Sequence, residues 1–278
     1  MSRVLVQEQG YCASSVCSLL GISRSTYYRS LHCVISNDDD VVNLIEDIIL
    51  KRPGYGSRRI SEELKREGHF IGRRRIQRIM RDHSLLCQLK KRWTRTTDSD
   101  HGHRRYPNLV RSELVERPDQ VWAADITYLR LEHGFCYLSV ILDAYSRKVV
   151  GWHLSKYIDS ALTLRALNNA LEERKPASGW IHHSDQGVQY ACRGYIETIL
   201  AHSGRPSMSS KACPYDNARA ESFFATLKKE HTYQEDHSTF EETKAGLTKY
   251  IDEYYNQSRL HSSIGYLSPN EFEQSLTK

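Results

Sequence analysis

The chain has 278 residues, a net charge of +5 and seven cysteines. This length accommodates one large core plus a smaller module, and no apolar run approaches the ~18 residues of a membrane-spanning helix. The cysteines are odd in number and form no C-x-x-C pair, which argues against a disulfide framework and a zinc ribbon and predicts free thiols. The N-terminus carries no signal-peptide pattern, so we expect a cytoplasmic protein without a membrane partner.

The basic charge is concentrated in one segment. Residues 51–111 contain 18 Lys and Arg against 6 Asp and Glu, so the rest of the chain is net acidic. Such clustering is typical of proteins that bind the phosphate backbone of nucleic acids. The alternative is an arginine-rich helical bundle whose charges are only solvated, and an acidic membrane surface is less favoured.

Residues 1–35 predict a segment that resembles a helix-turn-helix. In "SSVCSLLGISRSTYYRS" an apolar helix ends at Gly21, and Ser23 is suited to cap a second helix that carries Arg24. Many helical hairpins share this pattern, so alone it indicates DNA binding only weakly.

Residues 36–89 predict a second helical module. After the helix "DDDVVNLIEDIIL", the stretch "GSRRISEELKREGHFIGRRRIQRIMRDHSLL" spaces its apolar residues at helical intervals on either side of Gly68. Its last helix is rich in arginine. The predicted DNA-binding residues of the two modules are Arg24, Arg73, Arg74, Arg75, Arg78 and Arg81. Two such modules in tandem favour DNA binding over a purely structural role.

Residues 90–118 predict a basic linker. The stretch is polar and rich in turn-forming residues, without helical or strand periodicity, and it could lie along a nucleic acid. His101 and His103 are close together there, but no cysteine pair accompanies them to complete a zinc site. A domain boundary is therefore expected in this segment.

Residues 119–278 predict the largest domain, and its element order indicates an α/β fold. The strands "VWAADITYLRL", "GFCYLSVILDAY" and "KVVGWHLS" are joined by turn signals and predict an antiparallel meander, in which Asp143 organises a turn. A helix, a short buried strand "WIHHSDQG", a helix, a strand "RPSMS" and further helices follow. This is the order of a ribonuclease-H-like mixed five-stranded sheet with flanking helices, preceded here by an all-α helix-turn-helix region.

Three carboxylates fall where a charge is costly. Asp125 lies within an apolar strand, Asp185 ends the fourth strand, and Glu221 borders the apolar stripe of a later helix, in line with Asn217 and Lys228. A cap, a turn or a salt bridge would explain each one alone. Together they can converge on two Mg²⁺ ions, with Mn²⁺ as a substitute, and so support in-line displacement at phosphorus on a nucleic acid.

A family resemblance follows from five motifs: "VWAADITYL", "LDAYSRKVVGW", "HHSDQGVQY", "SMSSKACPYDNARAESFFATLKKE" and "YYNQSRLHSSIGYLSPNEF". From about residue 11 to residue 275 the chain resembles the OrfB-type transposases of the IS-three family of bacterial insertion sequences, whose catalytic domain is similar to that of retroviral integrases. The most specific features are the gaps of 59 residues between Asp125 and Asp185 and of 35 residues between Asp185 and Glu221. The resemblance implies that these three residues are the catalytic, metal-binding acidic triad.

The resemblance also implies an activity and partners. It implies a DDE transposase that cleaves and joins DNA strands with Mg²⁺ by the family's copy-and-circularise route. It places a basic residue at the step of Lys228, which would hold DNA beside the scissile bond, and we expect Asn217 on the same stripe to contact DNA.

The expected partners are double-stranded DNA of the element ends and the target, further copies of the chain on that DNA, and an upstream-frame helix-turn-helix and leucine-zipper protein, paired or fused. The expected location is the bacterial cytosol. From the residues alone two other functions stay open. One is a nuclease of the same fold that only hydrolyses, and the other is a catalytically silent DNA-binding regulator.

Overall fold

The computed structural model describes residues 11–24, 38–86, 105–210, 217–232 and 239–276. The chain divides into two compact units, Met1–Gln88 and Leu89–Lys278. None of the helices in the described ranges is both long enough and apolar enough to cross a membrane. The cysteines within these ranges, at positions 12, 17, 136 and 192, are free thiols, as predicted.

The first unit is all-α. Its described helices are α1 (Ala13–Leu19), α2 (Asp38–Lys51), α3 (Ser57–Arg66) and α4 (Arg73–Asp82). Apolar residues at helical spacing form its buried core, namely Ile45, Ile48, Ile60, Leu64, Ile76, Ile79 and Met80. The second helix predicted for residues 1–35 lies outside the described residues, apart from Arg24, which is exposed.

The turn between α3 and α4 explains why the chain reverses there. Gly68 adopts φ +86°, and the backbone N–H of His69 donates to the carbonyl of Leu64. A left-handed residue just after a helix is a common helix end and favours glycine. The predicted pair of helices around Gly68 is therefore confirmed.

The second unit is built on a five-stranded sheet. Its strands are β1 (Val121–Arg130), β2 (Phe135–Asp143), β3 (Val149–Ser155), β4 (Ile181–Ser184) and β5 (Arg205–Met208). They lie in the order β3-β2-β1-β4-β5. The first three pair antiparallel, whereas β4 pairs parallel with both β1 and β5. This mixed sheet confirms the predicted ribonuclease-H-like fold and its antiparallel meander.

Helices cover both faces of the sheet. They are α5 (Ser160–Arg174), α6 (Val188–Ala191), α7 (Arg193–Ala201), α8 (Ala218–Leu227), α9 (Phe240–Thr248) and α10 (Pro269–Leu276). Two π-helical segments, Lys228–Thr232 and Lys249–Tyr255, continue α8 and α9, and short 3-10 turns lie at Val110–Ser112 and Ser262–Ile264.

Each face of the sheet has its own core. On one face α5 lies close to β3. Gly151 permits this approach, since a side chain there would come within 2.5 Å of the carbonyl oxygen of Ala166. Trp122 and Trp180 pack in the same cluster. On the other face the apolar stripe of α8 packs against β1 and β2. The sheet is thus buried on both sides, which explains its near-continuous apolar strands.

Part of the predicted linker belongs to the sheet unit. Leu109, Val110 and Val115 pack against a small cluster around Val121. The backbone N–H of Leu109 also donates to the hydroxyl of Ser207 on β5, at 2.9 Å. Residues 87–104 lie outside the described residues.

Candidate active site

Two aspartates stand side by side near the centre of the sheet. Asp125 lies in the middle of β1, opposite Val140 on β2. On the other side of β1, the parallel ladder pairs residues 121, 122 and 123 with residues 181, 182 and 183. Continuing that register places Asp185, which directly follows β4, beside Asp125. The fold therefore brings together two carboxylates that are 60 positions apart in sequence.

Asp125 is held in an unusual electrostatic environment. Its Oδ1 accepts a hydrogen bond of 2.8 Å from the backbone N–H of Ile126. The pKa of Asp125 is raised to about 8, first by burial, then by the negative charge of Asp185 and more weakly by that of Glu221, while Lys228 acts in the opposite direction. These interactions place all three predicted acidic residues and the predicted lysine in one cluster.

The loop after β4 fixes Asp185. Its Oδ1 accepts a hydrogen bond of 2.9 Å from the backbone N–H of Gly187. The side-chain amide of Gln186 donates to the carbonyl of Ser209, also at 2.9 Å, which ties this loop to the segment after β5. A carboxylate oriented by backbone donors has little freedom to turn away from the cluster.

Glu221 is presented by the first turn of α8. Its side chain is exposed, so the expectation that its charge falls where it is costly is wrong for this residue. Its neighbours on the helix, Ala220, Phe223 and Phe224, are buried in the core against the sheet. This apolar packing fixes the helix above β1, as the predicted stripe required. Asn217 differs from the prediction, because it is buried at the start of α8 and does not lie on an exposed stripe.

Lys228 lies directly after α8 and faces the same cluster. Its ammonium lies 5.0 Å from the centre of the Tyr128 ring, within the range of a cation–π interaction. The pKa of Lys228 is lowered, because burial outweighs the opposite effect of the Asp125 carboxylate. Tyr128 is not among the predicted site residues, and its only signal in the sequence is that an aromatic residue stands three positions after Asp125 in the same strand.

The donor chemistry of the cluster fits a hard divalent cation. Carboxylate oxygens are the ligands that Mg²⁺ and Mn²⁺ prefer, and a cation would offset the repulsion between Asp125 and its acidic neighbours. Within the described ranges, however, no three His, Cys, Asp or Glu side chains are gathered closely enough to hold a metal ion. The carboxylates are neighbours, but they do not form a closed set of ligands.

Asp143 holds the turn that follows β2. Its carboxylate accepts hydrogen bonds from the backbone N–H groups of Asp119, Tyr145 and Ser146 and from the Ser146 hydroxyl, at 2.6 to 3.0 Å. It is fully buried. The prediction that Asp143 organises a turn is confirmed.

The arginines of α4 fall into two groups. Asp38 on α2 forms ion pairs with Arg75 at 2.8 Å and with Arg78 at 2.6 Å. Arg73, Arg74 and Arg81 are exposed. The charges of Arg75 and Arg78 are partly neutralised by Asp38, so the exposed arginines of α4 are better placed to bind a DNA backbone.

Protein-family models match segments of the sequence in both units. Residues 115–214 and 203–269 each match a model of the integrase core domain, and residues 36–93 match a model of an HTH-like domain.

Two relatives match nearly end to end. The transposase InsF for insertion sequence IS3A of Escherichia coli strain K12 is 33% identical over 271 residues, covering 95% of this chain and 94% of the relative. The insertion element IS600 uncharacterized 31 kDa protein of Shigella sonnei is 36% identical over 266 residues, covering 93% and 97%.

Solved structures are more distant. The HTLV-2 integrase catalytic core domain in complex with magnesium aligns with a TM-score of 0.42 at 15% identity, covering 56% of this chain and 97% of that one. The Mos1 transposase catalytic domain with Raltegravir and Mn aligns with a TM-score of 0.42 at 16% identity, covering 48% and 70%.

Proposed function

Since the chain belongs to the IS3 (IS-three) family of insertion-sequence transposases, we propose that it catalyses Mg²⁺-dependent DNA strand cleavage and strand transfer. Asp125, Asp185 and Glu221 are the catalytic, metal-binding residues. The observation that supports this proposal is that Asp125 and Asp185 lie on adjacent strands, with Glu221 acting on Asp125 electrostatically from the helix that packs on β1. Mn²⁺ is the expected substitute for Mg²⁺.

The reaction proceeds in two steps. Water first attacks a phosphodiester at the end of the element and releases a strand with a 3′-OH. That 3′-OH then attacks a second phosphodiester, forms the new bond and expels the 3′-oxygen of the strand that is cut. Two divalent cations, when bound, would activate the attacking oxygen and stabilise the leaving one.

The chain itself supplies orientation. The N–H groups of Ile126 and Gly187 each hold one carboxylate oxygen, of Asp125 and of Asp185 respectively, so these two side chains would be oriented to hold the ions. Lys228 holds a phosphate beside the scissile bond as a point charge. Asn217, at the start of α8 and one turn before Glu221, is also proposed to contact DNA.

The N-terminal modules bind double-stranded DNA in this proposal. Arg73, Arg74 and Arg81 contact the DNA backbone, together with Arg24 from the first module. Arg75 and Arg78 mainly stabilise the unit through their ion pairs with Asp38. We propose that the chain is organised into segments 1–35, 36–89, 90–118 and 119–278. The proposed partners are element ends, target DNA, further copies of the chain, and an upstream-frame helix-turn-helix and leucine-zipper protein in the bacterial cytosol.

One gel assay tests the proposal. The full chain is incubated with labelled duplexes that carry an element end, with Mg²⁺ or Mn²⁺, and the products are separated. Both cleaved and joined strands are expected. Cleaved strands alone would identify a hydrolytic nuclease, and bound DNA without any product would identify a silent regulator.

A further inference from the structure

An aromatic pair extends from the proposed active site along the β1–β2 hairpin. The rings of Tyr128 and Phe135 meet edge to face, with centroids 5.6 Å apart and planes at 80°. Phe135 is 51% exposed, although it is large and apolar and belongs to a strand. In the antiparallel register it lies opposite Arg130, which is also exposed. An apolar ring left in water beside basic groups matches the surfaces that bind nucleic acid bases.

Lys228 connects this pair to the acidic cluster. Its ammonium lies 5.0 Å from the centre of the Tyr128 ring. It reaches that ring because the β1–β4 ladder ends at Ala123 and His183, so the edge of β1 beyond it has no paired strand among the described residues. Tyr128 stands three residues after Asp125, about 10 Å along the strand and on the opposite face of the sheet, so Lys228 links the two around the edge of β1.

We propose that Phe135 stacks on a base that has left its pair at the DNA end, on the side of the acidic cluster where the β1–β2 hairpin extends. Tyr128 is a positioning residue that supports Phe135 on one side and Lys228 on the other. The inference rests on the proposed function, since it assumes that a DNA end lies across the acidic cluster.

The chemistry favours a base as the occupant. Strand joining requires the end of a duplex to approach a deep carboxylate cluster, and opening the last pairs lets one strand reach it. An aromatic side chain stabilises the displaced base by stacking, which contributes roughly 5- to 150-fold in affinity per base. Lys228 and Arg130 add positive charge that attracts the adjacent phosphates.

The test compares Phe135→Ala with wild type on two substrates. One is a fully paired element end, and the other carries mismatches at its last three pairs, so that the opening is already made. Phe135→Ala should join paired ends roughly tenfold more slowly and mismatched ends at close to the wild-type rate. Phe135→Trp should restore joining of paired ends, and Phe135→Leu should not, because stacking requires an aromatic ring.

Two further measurements complete the test. Tyr157→Ala, which removes another exposed aromatic side chain of the same unit (73% exposed), should join both substrates like wild type. 2-Aminopurine placed in the last three pairs should brighten when the wild-type chain binds and stay dark with Phe135→Ala.

Equal loss on both substrates, or wild-type joining of both by Phe135→Ala, would overturn the stacking role. The 2-aminopurine signal requires only DNA binding. A chain that bound ends and joined neither would therefore refute the proposed function, and the fluorescence would still decide the role of Phe135.

Discussion

At the scale of single residues, the proposed chemistry depends on charged side chains that differ in burial. Asp125 is the clearest case, because its carboxylate sits in a protein environment beside two others and its pKa is about 8. A group of this kind is costly to ionise without a cation. Without metal, the folded chain therefore keeps a proton that the unfolded chain releases near its ordinary value of 3.8.

This difference predicts a pH-dependent stability. As the pH rises from about 4 to about 8, the unfolded chain has lost the proton from Asp125 while the folded chain retains it. The free energy of unfolding should then fall by up to about 1.4 kcal/mol per pH unit, and the fall should stop above pH 8. Urea unfolding in EDTA between pH 5 and 8 measures this slope. Asp125→Asn should flatten it, and parallel curves for the two proteins would refute the assignment.

Lys228 makes a separate prediction. Lys228→Ala removes the charge beside the scissile phosphate and one cation–π contact, so unfolding should change by only about 1 kcal/mol while strand joining is lost. Lys249→Ala, an exposed lysine of the same unit, serves as the control and should join normally. If Lys228→Ala joined like wild type across a salt series, its DNA-positioning role would be wrong.

At the scale of elements, some arginines of α4 form ion pairs within the unit and others are exposed and proposed to bind DNA. Arg74→Ala and Arg81→Ala should each lower the slope of log affinity against log salt by roughly 0.9, because each removes one phosphate contact. Arg75→Ala is the matched control. Its ion pair with Asp38 predicts an unchanged slope and a loss of at most about 1 kcal/mol in unfolding. Equal slopes for all three variants would show that Arg75 contacts DNA phosphate despite its ion pair with Asp38.

The elements were also the most predictable part of the molecule. The strands β1, β2 and β3 and helices α3 and α4 follow from apolar spacing and turn residues, which act over a few positions. The ends of β4 were less clear: the predicted stretch reached Gly187, whereas the strand ends at Ser184. Asp185 and its neighbours leave the strand because backbone N–H groups there bond to a side chain instead of a ladder.

Contacts between distant residues escaped the sequence pattern. The ion pairs of Asp38 join residues 37 and 40 positions apart, and the contact of Lys228 with Tyr128 spans 100 positions. Which charge meets which partner is decided by tertiary packing and not by local periodicity. The spacing of the acidic residues indicated the triad, but the side chains that contact these residues could be identified only from the folded structure.

At the scale of the whole catalytic unit, the C-terminal segment is part of the framework of the site. Glu230 and Arg259 form a buried pair at 2.7 Å, with side chains only 2% and 3% exposed. Arg174 on α5 bonds both to Asp119, before β1, and to Glu273 on α10. Such pairs are costly to break singly. The first pair links two segments that follow α8, and the second links α5 and α10 to the segment that leads into β1.

The central claim is that Asp125, Asp185 and Glu221 act together in cleaving and joining DNA. The most direct measurement is the yield of cleaved and joined strands with Mg²⁺ for Asp125→Asn, Asp185→Asn and Glu221→Gln, beside binding of the same DNA. Glu197→Gln, which changes an exposed carboxylate on α7, is the control. Each triad variant should bind DNA like wild type and lose both products by at least about a hundredfold, while the control keeps them. A triad variant that cleaved and joined at near the wild-type rate would contradict the account.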